Sequence, residues 1–102
     1  MEPIQLNQDD DGRVVTVAAG QQIVVRLPEN PTTGYRWEPP AGVKVVADEY
    51  RSPGGRAMGA GGERVFTLAA IPTAGEVRFE LKRPWGGGAP ERTFTLRFTP
   101  GG

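Results

Sequence analysis

The segment VRFELK (77–82) alternates without a break, with Val77, Phe79 and Leu81 on one side and Arg78, Glu80 and Lys82 on the other. Apolar residues at every second position share a face only when the chain is extended. A helix would scatter them around its axis. TFTLRF (93–98) repeats the pattern, with Phe94, Leu96 and Phe98 against Thr93, Thr95 and Arg97. Shorter or looser versions occur in RVVTV (13–17), QQIVVRL (21–27), YRW (35–37), VKVVADEY (43–50) and RVFTLAA (64–70). In 43–50 the pattern places Val43 and Val45 on the packed side and Lys44 on the wet one. No window carries a helical apolar stripe. Between the runs, the prolines and glycines cluster in PENP, PPAG, RSPGG, GAGG, IPTAG and PWGGGAP. Seven to eight short strands in 102 residues predict an all-β, antiparallel β-sandwich, with a barrel as the alternative closure.

Composition narrows the chemistry. The chain has no cysteine and no histidine. That removes disulfides, thiolate nucleophiles, Cys/His zinc sites and a histidine general base. The single serine, Ser52, has no histidine to activate it. No acidic pair spans a recognisable cleft, so the chain is not expected to be an enzyme, and no cofactor is expected. Twelve basic and twelve acidic residues balance, and no basic cluster is denser than LKR (81–83). Neither a nucleic acid nor a membrane surface is an expected partner. No apolar run approaches the roughly 20 residues of a membrane-spanning helix. The opening MEPIQLNQDD lacks a basic region followed by an apolar core. The expectation is cytoplasmic as given, or periplasmic or secreted if a leader was removed.

One acidic stretch invites a metal reading. NQDDDG puts Asn7, Asp9, Asp11 and Gly12 where a calcium loop has its first ligands and its glycine. The position that needs a bidentate glutamate holds Ala18 instead, so a solvated turn is expected and no metal.

Three loops exceed what connectivity requires. NPTTG (30–34) combines a turn-capping asparagine, a proline that fixes φ, two threonines stiff at χ1 and a glycine. SPGGRAMGAGG (52–62) is too long and glycine-rich for an economical hairpin. It also lacks the Gly-Lys-Ser/Thr ending of a phosphate loop. RPWGGGAP (83–90) strands Trp85 among proline and glycine, where it has few neighbours to bury against. Arg and Trp together have the composition of a binding hot spot. Trp37, by contrast, is expected in the core, and Tyr35 at the base of the first loop.

In that order, NPTTGY, GAGG and RPWG, separated by strands, resemble the chagasin family of cysteine-protease inhibitors over nearly the whole chain. The resemblance implies a single inhibitor domain over 1–102 with an immunoglobulin-like sandwich. It implies three loops at one end that enter the cleft of a papain-like (cathepsin-L-like or similar) protease, without being cleaved. Carried over, Asn30, Pro31, Thr32, Thr33 and Gly34 would meet the catalytic centre. Gly59, Ala60, Gly61 and Gly62, preceded by Met58, would flank it on the non-primed side. Arg83, Pro84 and Trp85 would flank it on the primed side. A monomer is expected, since inhibition by loops needs no second subunit. The competing readings are a non-inhibitory module binding a peptide or glycan through Trp85 and Tyr35, and a purely structural sandwich.

Overall fold

In a computed structural model of the chain, residues 2–30, 33–51, 62–69, 74–83 and 88–100 are described. Eight strands are present among them: β1 (Ile4–Asn7), β2 (Val14–Val17), β3 (Ile23–Glu29), β4 (Arg36–Glu38), β5 (Lys44–Arg51), β6 (Gly62–Ala69), β7 (Gly75–Lys82) and β8 (Arg92–Pro100). They form two four-stranded sheets, ordered β1-β3-β6-β5 and β2-β8-β7-β4. The architecture is the immunoglobulin-like sandwich.

The alternation explains the packing. Ile23, Val25 and Leu27 of β3, Phe66 and Leu68 of β6, Val77, Phe79 and Leu81 of β7, and Phe94, Leu96 and Phe98 of β8 all enter one core. Phe79 and Phe94 are direct cross-strand partners in the second sheet, with ring centroids 5.7 Å apart. The Phe66 ring of the first sheet lies 5.6 Å from Phe79 and joins the two layers. Trp37 is buried in the same cluster, as its sequence context predicts.

Three expectations need correction. The sandwich is not purely antiparallel: β1 pairs with β3, and β2 with β8, in parallel. The reason is that the chain changes sheets between β1 and β2, so each short segment finishes the edge of a different sheet. The strand β1 itself, which buries Leu6, is absent from the alternating runs because four residues hold too little pattern to read. In β5 the pairing register shifts between Val45 and Ala47. Val46 sits at the bulge and is 51% exposed, while Val45, opposite the buried Leu68 but on the edge strand, stays 37% exposed, so only Val43 of the expected pair packs against the core.

The acidic turn is structural. Asn7 caps a short 3-10 turn (Gln8–Asp10), and the Asp10 carboxylate accepts from the Asn7 backbone in return. That backbone bond, opposed by partial burial and aided by Arg13, holds the Asp10 carboxyl below its ordinary range. Asp11 accepts from the Thr95 backbone at 2.8 Å, which pins the turn to β8.

Phe79→Ala should lower unfolding free energy by about 3–5 kcal/mol, and Val46→Thr should change it by less than about 0.5 kcal/mol, both measured by urea denaturation.

Candidate functional site

Strand registers decide where the three over-built loops begin and end. Glu29, the last residue of β3, sits opposite Gly62, the first of β6. Arg51 at the end of β5 sits opposite Glu63. Arg36, which opens β4, pairs with Lys82, which closes β7, and Leu81 pairs with Arg92 at the start of β8. The roots of all three loops therefore lie at the same end of the sandwich. The connections 18–22, 39–43 and 70–74 leave from the other end.

The first loop is held by its own hydrogen bonds where it is described. Thr33 donates to the Asn30 carbonyl twice, from its backbone N–H at 3.1 Å and from its hydroxyl at 2.8 Å. The Tyr35 N–H donates to Thr33 Oγ1 at 3.3 Å. Gly34 has φ +81°, a conformation that costs a residue with a Cβ roughly 1–2 kcal/mol.

Beneath this loop lies a charged network that the sequence reading missed. Glu29 is the one charged residue buried among the described residues, its side chain 1% exposed. Its Oε1 accepts from the Trp37 backbone N–H at 2.8 Å. Its Oε2 accepts from Arg64 Nε at 3.0 Å and Nη2 at 2.6 Å. The same guanidinium donates to Asp48 Oδ1 at 3.0 Å and lies 5.7 Å from the centre of the Tyr50 ring. Burial alone would lower the Arg64 pKa. The hydrogen bonds and charges of Glu29 and Asp48 outweigh it and raise the pKa, so the guanidinium stays protonated. The Trp37 indole N–H donates to the Pro28 carbonyl at 2.7 Å, a second tie across the two sheets.

The second loop re-enters the fold at Gly62. Its N–H donates to the Tyr50 hydroxyl at 2.9 Å. A Cβ at this position would meet the Arg51 carbonyl and, at 2.6 Å, the Tyr50 hydroxyl, so only glycine fits. The third loop leaves from Arg83, which is exposed and holds its guanidinium 4.7 Å from the centre of the Tyr35 ring. At the loop's other root the Glu91 N–H donates to the Leu81 carbonyl at 2.8 Å. An open concavity of about 440 Å³ lies between the roots, with Asn30, Thr33, Tyr35, Gly62, Leu81 and Arg92 in its wall.

Of the residues expected to form the site, Asn30, Thr33, Gly34, Gly62 and Arg83 are therefore gathered at one end. Pro31, Thr32, Met58, Gly59, Ala60, Gly61, Pro84 and Trp85 lie outside the described residues. The missed residues had a signal. Glu29 continues the core-facing series Ile23, Val25, Leu27, and a carboxylate at a core position requires a partner. Among the described residues no group of three or more acidic side chains could hold a metal ion.

The fold agrees with the comparisons to known proteins. The family model described as "Chagasin family peptidase inhibitor I42" matches residues 16–98, and the chain belongs to that family. Amoebiasin-1 of Entamoeba histolytica is 33% identical over 101 residues, covering 92% of this chain and 96% of that protein. Chagasin of Trypanosoma cruzi is 34% identical over 87 residues, covering 76% of this chain and 78% of that protein. The solution structure of Amebosin superposes with a TM-score of 0.76 at 28% identity, covering 98% of this chain and all of that one. The family is one of inhibitors rather than enzymes, and membership supports a chagasin-like cysteine-protease inhibitor.

Gly62→Ala should lower stability by roughly 1–3 kcal/mol through overpacking, read as a drop in thermal midpoint.

Proposed function

We propose that this chain is a reversible, competitive inhibitor of papain-like cysteine proteases. In this reading it acts as one monomeric domain over 1–102 and fills the active-site cleft with three loops. The observation that carries the reading is the convergence of the three loop roots at one end of the sandwich.

The cleft of such a protease has a thiolate–imidazolium pair at its floor. The loop 30–34 enters above it and offers the threonines and backbone amides as hydrogen-bond partners. It does not offer an extended strand with a carbonyl in line for attack. Pro31 fixes φ, and the two bonds from Thr33 to the Asn30 carbonyl hold the turn closed, which opposes a substrate-like shape. The glycines of 59–62 permit close backbone approach on the non-primed side, with Met58 or Ala60 against apolar subsites. Trp85 packs on the primed side as the aromatic anchor. Arg83 has a role inside the inhibitor as well, because its stacking on Tyr35 joins the third loop to the first.

Purified protein should inhibit papain and a cathepsin-L-like protease competitively and one-to-one, and remain intact on a gel afterwards. No inhibition of either enzyme by a folded sample would overturn the reading. Trp85→Ala should weaken inhibition by at least about 2 kcal/mol, roughly 30-fold.

A further inference from the structure

Glu29 occupies a position where an apolar residue would extend the series Ile23, Val25, Leu27. Replacing a buried ion pair by well-packed apolar groups is often neutral or stabilising, so the pair is weak evidence for a role in stability. Its location is more informative. The carboxylate stands at the start of the first loop and accepts from the backbone N–H of Trp37, just past that loop's end. It thereby closes the loop and joins β3 of one sheet to β4 of the other. The same carboxylate takes the Arg64 fork, and Arg64 lies two residues after the second loop's re-entry at Gly62. Arg64 then reaches Asp48 on β5, the strand that leads into the second loop. One buried carboxylate and one guanidinium thus tie both ends of the first loop to both strands that carry the second.

We propose that Glu29 and Arg64 are positioning residues for inhibition. Their ion pair holds the roots of the first two loops in one preformed arrangement, so losing it slows association with the protease while leaving the contacts made in the complex intact. This rests on the inhibitor reading above. A loop set that is competent only a fraction of the time binds with its rate and affinity reduced by that fraction. A residue that touches the enzyme would instead change dissociation. The fork also requires arginine, since a lysine ammonium cannot occupy the Nε and Nη2 positions together.

The test uses Glu29→Gln and Arg64→Lys in the full chain. In the free protein, amide hydrogen exchange should speed up at Trp37, Tyr35 and Gly62 by more than it does at the core amides of Phe66 and Phe79. With papain, the association rate constant should fall about tenfold if the competent fraction falls to about one tenth, and dissociation should change much less. Unchanged exchange at the loop roots would overturn the proposal. So would exchange rising equally in the core, which marks an ordinary stability role, or a change confined to dissociation, which marks a direct contact. If the unmutated chain fails to inhibit papain, the inhibitor reading fails for that enzyme. The exchange measurement still decides whether the pair braces the loops.

Discussion

Contact between the Phe66 ring of one sheet and the Phe79 ring of the other sets the separation of the two layers. With Phe94 beside Phe79, it places three large aromatic side chains at the centre of the core. Everything at the loop-bearing end depends on that separation. The Glu29 carboxylate reaches the Trp37 backbone, and the Trp37 indole reaches the Pro28 carbonyl, only if the sheets stand at this distance. Apolar packing in the middle of the sandwich thus sets polar geometry at its end. The polar bonds then settle what packing alone leaves loose, namely how the loop roots sit relative to one another.

Much of the fold was legible in the residues because alternation reports directly on burial. The runs in 77–82 and 93–98 lie inside β7 and β8, and their apolar sides are in the core. What escaped had physical causes. β1 is four residues long and completes an edge in parallel, which leaves no hairpin signal to read. Pro28 suggested the end of a strand, yet β3 continues through it to Glu29. The bulge in β5 breaks period two at Val46, and Val45, which the alternation assigns inward, stays 37% exposed because β5 is an edge strand.

The candidate site was legible in a different way. Its loops stood out as sequence too elaborate for turns, and the motifs within them carried the family resemblance. Their gathering at one end depends on strand order, which no local pattern contains. The bracing beneath them was invisible for the same reason. Glu29 and Arg64 are 35 positions apart and meet only because β3 pairs with β6. Tyr35 and Arg83 meet just beyond the β4–β7 ladder, as its register continued outward would place them. These braces join the first loop to each of its neighbours. Binding carries an entropy cost for every loop it must order, and loops ordered before encounter reduce it.

The most direct test of the central claim is a hydrogen-exchange map of the chain alone and in complex with papain. Binding through the loop-bearing end predicts protection concentrated in 30–36, 52–61 and 83–91, with 18–22, 39–43 and 70–74 unchanged. Protection centred on the opposite end or on a sheet face, with the three loops exchanging as they do in the free protein, would contradict it.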